Sequence, residues 1–227
     1  NLSLIPGNVG TSPIQNIGAY GVEIKNVFYQ LEALEIETGE VETFELENCE
    51  FGYRNSVFKN KLKGKYIILN VTFKLTKQNH SLNIEYGAIK NYLENIQQPT
   101  IKDVSNAVIS IRLSKLPNPE EIGNSGSFFK NPVINNLQFE KLQKKYPKIP
   151  NYRVSENEIK IPAGWLIEQS GFKGKRFGDA GVHNKQALVL VNHNNASGKE
   201  ILALAEKIQQ TVEENFGILL EMEVNII

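Results

Sequence analysis

Residues 116–132 read LPNPEEIGNSGSFFKNP, and this stretch divides the chain. Pro117 and Pro119 stand two residues apart. Such a pair stops a helix and stiffens a connector, because proline fixes its own backbone and has no N–H to donate. We therefore predict one folded unit before this stretch and a second unit after it. Residues 123–132 are predicted to form a glycine-rich turn that presents Ser127 beside two phenylalanines, a lysine and an asparagine.

The composition indicates a neutral protein with enough apolar residues for two packed cores. Hydrophobic residues make up 41% of the 227 residues, and 25 basic side chains balance 25 acidic ones. A chain without net charge has no global field to attract nucleic acid or an anionic membrane. No apolar run approaches the roughly 18 residues of a membrane span, and no secretory leader is recognisable. We expect a cytoplasmic monomer that binds neither nucleic acid nor membrane.

The single cysteine and the three histidines argue against several kinds of site. Cys49 alone excludes an intrachain disulfide, fits a reducing compartment and is interpreted as a half-buried structural thiol. The scattered histidines, His80, His183 and His193, do not form a metal site. None of them is placed to activate Ser127 as a hydrolytic nucleophile. We therefore predict neither a bound metal nor a serine-hydrolase triad.

The first unit is predicted to start as a long loop and to continue as β-structure. Residues 5–21 contain four glycines and two prolines, too many for a regular element. Residues 22–47 have the alternation of a β-hairpin, and a helix is predicted over residues 103–113. Between them, residues 66–75 are predicted to form a strand with one apolar face made of Ile67, Leu69, Val71, Phe73 and Leu75.

The second unit is predicted to be α+β. We predict helices over residues 135–145, 162–171 and 198–216, and strands over residues 158–161, 187–192 and 219–227. The longest helix is the best marked, since Ser197 and Glu200 form a capping box and Gly217 follows its apolar stripe. Residues two apart in a strand share a face, so Glu221 and Glu223 are expected to point the same way.

Three further features can carry chemistry, and each has a purely structural alternative. The glycines of residues 5–21 let backbone amides approach a phosphate or a flat cofactor ring, but they also suit a structural Ω-loop. Arg54, flanked by aromatic residues, can hold a carboxylate or a developing oxyanion, or form an ordinary salt bridge. Glu221 and Glu223 line either a solvated face or a pocket. Apart from these three features, the Ser127 hydroxyl can act as a proton donor or as a nucleophile.

Six segments taken together resemble the motifs of the UDP-N-acetylenolpyruvoylglucosamine reductase family, in the same order. They are residues 5–21, FGYRNS at 51–56, KLP at 115–117, GSFFKNP at 126–132, AGWLI at 163–167 and LEMEV at 220–224. The resemblance covers essentially the whole chain, but it begins partway into the family's flavin-binding region and leaves out the N-terminal subdomain. It implies a flavoprotein oxidoreductase with FAD and NADPH as cofactors. The expected reaction reduces the enolpyruvyl group of a UDP-sugar to UDP-N-acetylmuramate for peptidoglycan synthesis, cell-wall biogenesis, cell shape and cell division.

The resemblance also implies an architecture. Residues 1–116 would be an FAD-binding subdomain with a mixed sheet, of the vanillyl-alcohol-oxidase type and incomplete without its N-terminal partner. Residues 117–218 would be a smaller α+β substrate-binding domain. Residues 219–227 would be a terminal strand that returns to the active site.

Roles for individual residues follow from the same resemblance. Ser127 would donate a proton, and Arg54 and Glu223 would polarise the substrate carboxylate. Glu223 is then expected to have a raised pKa, because a carboxyl group stabilises an anion only when it is protonated or bonded through another group. The residues implied for the cofactor are Gly7, Ile14, Ile17, Gly18 and Ile68. The residues implied for the UDP-sugar are Tyr20, Tyr53, Tyr86, Arg112, Lys115, Asn131, Tyr152 and Gln186.

Two alternatives stay open at this point. One is another FAD oxidoreductase of the same fold, which oxidises an alcohol; such relatives often attach the flavin through a histidine or cysteine, and residues 7–21 contain neither. The other is a non-catalytic fragment that binds a UDP-sugar without FAD. Flavin colour in the purified complete protein distinguishes an enzyme from a binding module.

Overall fold

The computed structural model describes residues 1–226, which separate into two compact units between Ser114 and Lys115. The division predicted from the prolines lies two residues further along the chain. Within the described residues, no helix has the length and apolar character needed to cross a membrane.

The first unit contains a short hairpin, a three-stranded sheet and two helices. Its elements are β1 (Gly18–Ala19), β2 (Val22–Glu23), β3 (Phe28–Glu35), β4 (Val41–Glu45), β5 (Tyr66–Phe73), α1 (Gly87–Leu93) and α2 (Ile101–Lys115). The sheet order is β4-β3-β5, and both neighbours of β3 run antiparallel to it. The mixed sheet implied by the resemblance is therefore not present in the described residues. The loop at residues 5–21 is also less irregular than predicted, because β1 pairs with β2 at its end.

Strand β5 departs from the predicted alternation. Strand β3 pairs with Ile68 and then with Asn70, which leaves Leu69 without a partner. This extra residue is a β-bulge, and it reverses which side chains point inward. Ile67 and Leu69 are each 52% exposed, whereas Ile68 and Val71 pack against the core. The prediction of one apolar face was wrong, because a bulge depends on the partner strand.

The sheet of the first unit covers a small apolar core that includes Cys49. The thiol residue is fully buried, not half-buried as predicted, and burial raises its pKa to about 12. A thiol that stays protonated is a poor nucleophile, so the structural interpretation of Cys49 agrees with its surroundings. A second apolar cluster joins α1 and α2 and consists of Ile89, Leu93, Val104, Ala107, Val108 and Ile111.

The second unit packs two antiparallel sheets and three helices around one core. Its elements are β6 (Gly123–Ser127), β7 (Val133–Asn135), α3 (Asn136–Lys145), β8 (Tyr152–Arg153), β9 (Glu158–Lys160), α4 (Ala163–Gln169), β10 (Arg176–Phe177), β11 (Ala180–Val182), β12 (Val189–Asn192) and α5 (Gly198–Phe216). The strand orders are β10-β11-β12-β6 and β7-β9-β8. The three predicted helices and the predicted strands at β9 and β12 are confirmed.

Helix α5 shows why its prediction succeeded. The Ser197 backbone N–H donates to Glu200 Oε2 at 2.8 Å, and the Glu200 N–H donates back to Ser197 Oγ at 3.3 Å. At the other end, Gly217 has a φ of +65°, the left-handed conformation that ends helices. The inward stripe is buried, and its members are Leu204, Ala205, Ile208, Val212 and Phe216.

Two other predictions for the second unit need correction. Residues 123–127 are not a turn but strand β6, because their backbone pairs with β12. The strand predicted over residues 219–227 is reduced to a single β-bridge between Phe129 and Met222. Ile227, its last predicted residue, lies outside the described residues.

Candidate active site

Ser127 ends β6, which is the edge strand of its sheet. Val189 lies opposite Ser127 and Val191 lies opposite Asn124, so β6 contains one residue more than β12 over this span. Gly126 has a φ of +73° at this bulge, and its N–H donates to Asn124 Oδ1 at 3.0 Å. Glycine adopts that conformation without steric cost. The bulge therefore sets the direction in which the chain leaves the sheet at Ser127.

Two buried rings anchor the chain directly after Ser127. Phe128 and Phe129 are 3% and 1% exposed and belong to the core of the second unit. The Phe128 N–H donates to the Leu188 carbonyl at 2.8 Å. Ser127 itself is exposed. A solvent-accessible hydroxyl is thus held at the edge of a rigid core.

The C-terminal segment brings Glu223 close to Ser127 along the backbone. The Glu223 N–H donates to the Phe128 carbonyl at 2.8 Å, and the Lys130 N–H donates to the Glu221 carbonyl at 2.8 Å. Glu223 is partly buried. The tertiary pairing therefore brings the backbone of Glu223 to Phe128, the residue that follows the predicted proton donor.

Glu221, two residues before Glu223, has a structural role. Its carboxylate forms an ion pair with Lys130, whose side chain is only 12% exposed. A largely buried ammonium group needs such a partner, because desolvation of an unpaired charge is costly. The charge of Lys130 is therefore compensated within the protein.

Asn131 and Gln186 converge on the start of α4. Asn131 Oδ1 accepts the Ala163 N–H at 2.9 Å, and Gln186 Oε1 accepts the Leu188 N–H at 3.3 Å. A Cβ at Gly164 would lie 3.1 Å from Gln186 Oε1, so the glycine leaves room for that amide. Among residues 1–226 neither side-chain NH₂ group donates to a protein acceptor, so both are available to a ligand.

Two more of the residues predicted to bind the substrate are Lys115, which was expected in the first unit but is the first residue of the second, and Tyr152. Lys115 is exposed at the end of α2. Tyr152 is 55% exposed on β8, in the three-stranded sheet, opposite Lys160. Backbone hydrogen bonds therefore link the segments that carry Ser127, Glu223 and Gln186, and Asn131 follows on the segment of Ser127. Among the described residues, no hydrogen bond joins Lys115 or Tyr152 to these four residues.

In the first unit Arg54 occupies a tight turn. Gly52 and Asn55 exchange two backbone hydrogen bonds of 3.0 and 3.3 Å, and Arg54 between them has a φ of +52°. Its guanidinium donates to the Gly18 carbonyl and lies 5.2 Å from the centre of the Tyr53 ring. A guanidinium held by a carbonyl and an aromatic face is well oriented for a carboxylate.

Packing against Arg54 explains why position 18 is a glycine. A Cβ at this position would lie 2.9 Å from Arg54 Nη1, from Glu23 Cγ and from the Val22 carbonyl oxygen. No side chain fits there without moving the guanidinium or the backbone. The resemblance implied a cofactor role for Gly18, and that role stays a prediction.

Tyr20, Tyr86 and Arg112 form a second cluster in the first unit. The rings of Tyr20 and Tyr86 meet edge to face with centres 5.2 Å apart. Burial raises the pKa of Tyr20, and the hydrogen bond and charge of Arg112 oppose that shift. Arg112 Nε also donates to the Leu4 carbonyl at 3.2 Å. Three of the predicted substrate residues are thus brought together.

The predicted cofactor residues lie on the loop and on β5. Gly7 is exposed with a φ of +107°, and Ile14, Ile17 and Ile68 are partly buried. The loop reaches β5 at Gly10, where a Cβ would lie 3.6 Å from the Ile68 carbonyl oxygen. The glycine backbone of the loop at Gly10 is therefore adjacent to Ile68 of β5.

Comparison with known proteins gives one consistent result. The family model for the C-terminal domain of UDP-N-acetylenolpyruvoylglucosamine reductase matches residues 118–227. The reductase of that name from Flavobacterium johnsoniae is 61% identical, over 100% of this chain and 68% of the relative. The one from Amoebophilus asiaticus is 55% identical, over 100% of this chain and 67% of the relative. The chain belongs to the UDP-N-acetylenolpyruvoylglucosamine reductase family. The resemblance drawn from six motifs is confirmed.

A solved structure agrees on the fold. The UDP-N-acetylenolpyruvylglucosamine reductase from Thermus caldophilus superposes with a TM-score of 0.63 at 23% identity, over 99% of this chain and 62% of that one. The chain thus spans about two thirds of the length of the reductases it matches. Members of this family are oxidoreductases.

Three buried polar residues of this reductase-family chain, Ser12, Asn16 and Ser56, were not singled out from the sequence. Asn16 and Ser56 are 0% and 1% exposed. Ser56 Oγ donates to the Ile14 carbonyl at 2.6 Å and accepts the Phe58 N–H at 3.2 Å. A serine before the short helix Val57–Lys59 is a capping signal that could have been recognised. Asn16 has no such local signal.

Replacing Gly18 with alanine is expected to lower the free energy of unfolding by about 1–3 kcal/mol, the usual cost of overpacking. The Val22 carbonyl cannot retreat, because β1 and β2 pair at this point. Urea unfolding followed by circular dichroism measures the effect. Gly10→Ala is the matched control, since its Cβ would meet Ile68 at ordinary distances of 3.6 and 3.9 Å. Equal stabilities for the two variants would contradict this explanation.

Proposed function

We propose that the protein containing this chain is a cytoplasmic, monomeric enzyme that uses FAD and NADPH to reduce UDP-N-acetylenolpyruvoylglucosamine to UDP-N-acetylmuramate. The product is a precursor of peptidoglycan. The observation that carries the proposal is the backbone hydrogen bond from Glu223 to Phe128, which brings the segment of Glu223 to the residue after the exposed Ser127. Family membership supplies the reaction, and this pairing brings together two segments whose residues suit it.

The residues of the first unit fit a flavin. Exposed glycine backbone at Gly7 and the partly buried side chains of Ile14, Ile17 and Ile68 offer the apolar and amide surface that a flat ring requires. These residues, with Gly18, would hold FAD. When bound, FAD that NADPH has reduced supplies the hydride.

Arg54 has the fixed geometry that polarisation of a substrate carboxylate requires. Its turn, the Gly18 carbonyl and the Tyr53 ring restrain the guanidinium before any ligand binds. A preorganised cation stabilises negative charge as it develops, and it does so without the cost of reorientation. We assign to Arg54 the stabilisation of the charge that spreads onto the carboxylate, and to Glu223 a hydrogen bond to the same group.

We assign to Ser127 the donation of the proton that the reduction consumes. Reduction of the enolpyruvyl double bond consumes one hydride, at the methylene carbon, and one proton, at the carbon that carries the carboxylate. The Ser127 O–H bond breaks as the new C–H bond forms. The serine oxygen then recovers a proton from water, which reaches it because Ser127 is exposed.

The remaining residues are proposed to bind the sugar nucleotide. Asn131 and Gln186 offer amide N–H groups beside the start of α4. Lys115 is a cation suited to the diphosphate. The others assigned to the sugar nucleotide are Tyr20, Tyr53, Tyr86, Arg112 and Tyr152.

The test uses the complete protein, purified as its own gene encodes it. We expect flavin absorbance, release of the flavin on denaturation, and NADPH oxidation that depends on the enolpyruvyl sugar nucleotide. A colourless protein that binds UDP-sugars would favour a binding module. Flavin that stays attached after denaturation would favour an alcohol-oxidising relative.

A further inference from the structure

We propose that Asn16 is the positioning residue of Arg54: it holds both the turn that carries the arginine and the Glu23 side chain, which packs over Gly18 as the guanidinium does. The inference rests on the proposed function, because it concerns how Arg54 meets the carboxylate of the substrate. Asn16 itself touches no reacting atom.

The first observation is that the Asn16 side chain is completely buried and forms hydrogen bonds with both its amide nitrogen and its amide oxygen. Asn16 is 0% exposed. Its Nδ2 donates to Glu23 Oε2 at 3.0 Å and to the Gly52 carbonyl at 2.9 Å, and its Oδ1 accepts the Lys25 N–H at 3.1 Å. Buried amides lose free energy unless they are bonded in this way. The amide therefore ties three separate segments together.

Two of these three bonds lead to Arg54. Gly52 opens the turn that contains Arg54, so the bond to its carbonyl sets where that turn lies. Glu23 Cγ and Arg54 Nη1 each lie 2.9 Å from the position of a Cβ on Gly18, so both side chains pack over that glycine. Asn16 thus bonds the first residue of the turn and the Glu23 side chain, which shares the space over Gly18 with the guanidinium.

The residue type at position 16 fits both requirements. Asn16 has a φ of +46°, a conformation that asparagine tolerates better than most side chains. Its side chain donates and accepts at once, whereas aspartate would set a second carboxylate against Glu23. Lys25 Nζ also contacts Glu23 Oε2 at 3.1 Å, so the carboxylate is held from two sides.

A purely structural role is the competing explanation, and ligand selectivity separates the two. We compare the affinity of the complete protein for the enolpyruvyl sugar nucleotide with that for UDP-N-acetylglucosamine, which lacks the carboxylate. Isothermal titration of the oxidised protein measures both without turnover. The variants are Arg54→Ala, Asn16→Ala and the double variant. Ser12→Ala is the control, since Ser12 is also buried in this loop but donates to the Val9 carbonyl.

We expect Arg54→Ala and Asn16→Ala each to weaken binding of the carboxylated nucleotide about tenfold to hundredfold, the effect of losing a charge-assisted hydrogen bond. Binding of UDP-N-acetylglucosamine should change less than about threefold. The double variant should match Arg54→Ala, because a residue that acts through Arg54 has no further effect once Arg54 is gone. Ser12→Ala should bind both ligands as the unaltered protein does.

The outcomes distinguish the two proposals. If Arg54→Ala binds both ligands normally, the role of Arg54 in the proposed function is wrong and the positioning role falls with it. Three results would overturn the positioning role alone. In the first, only Arg54→Ala weakens binding of the carboxylated nucleotide selectively. In the others, Asn16→Ala weakens binding of both ligands alike, or the losses of binding free energy in the two single variants add in the double variant. Should Asn16→Ala fail to fold, the isosteric Asn16→Asp, which keeps the acceptor for Lys25 and loses both donors, is judged by the same comparison.

Discussion

Replacing Ser127 with alanine is expected to slow reduction of the enolpyruvyl substrate by about 10²- to 10⁴-fold, the usual contribution of a general acid. Reduction of the flavin by NADPH should not change, because that half-reaction needs no proton from Ser127. The fold should also persist, since the hydroxyl is exposed and the chain is anchored by Phe128 and Phe129. Stopped-flow absorbance of the flavin measures the two half-reactions separately.

The matched control for Ser127 is Ser125→Ala. Ser125 is an exposed serine on the same strand, two residues earlier, and it has no assigned role. We expect the rates of both half-reactions in Ser125→Ala to stay within about twofold of those of the unaltered protein. If Ser127→Ala and Ser125→Ala behave alike, Ser127 is not the proton donor. If Ser127→Ala slows flavin reduction as well, its effect lies in the structure of the site.

Replacing Glu223 with alanine is expected to slow substrate reduction by about 10²- to 10³-fold, which corresponds to about 3–4 kcal/mol of lost stabilisation. The backbone N–H of residue 223 donates to the Phe128 carbonyl, and this bond does not depend on the side chain at position 223. The variant should therefore keep the local pairing. Glu223→Gln should retain more activity than Glu223→Ala if the carboxyl group acts in its protonated, hydrogen-donating form, since an amide also donates. Single-turnover rates for the two variants give the comparison.

Glu221→Gln is the control for Glu223. Glu221 lies two residues earlier on the same segment, is exposed, and pairs with Lys130. We expect its substrate half-reaction to remain within about threefold of the unaltered rate. Equal losses in Glu221→Gln and Glu223→Ala would show a general effect of charge on this segment and would refute a specific role for Glu223.

Some features of the protein follow from local sequence. Helix α5 was predictable because Ser197, Glu200 and Gly217 lie within the helix ends that they cap. The division near Pro117 followed from prolines, whose backbone restriction acts on adjacent residues. The site residues were recognisable as candidates because Arg54 and Ser127 lie in short segments of unusual composition. Each of these signals involves residues a few positions apart.

Other features needed the tertiary structure. The bulge at Leu69 depends on pairing with β3, and β6 was mistaken for a turn because its partner, β12, lies more than sixty positions away. The predicted final strand is a single β-bridge in the structure. Its extent depends on pairing with Phe129, which is also distant in sequence.

Asn16 shows where inference from local sequence ends and where long-range contacts are needed. The sequence determined the family, the main helices and strands, and which residue types are available for chemistry. The structure decided that Asn16 bonds residues 7, 9 and 36 positions away, and that Glu223 meets Phe128. The physical reason is that caps and alternation act over a few residues, whereas register and buried hydrogen bonds depend on which distant segments meet.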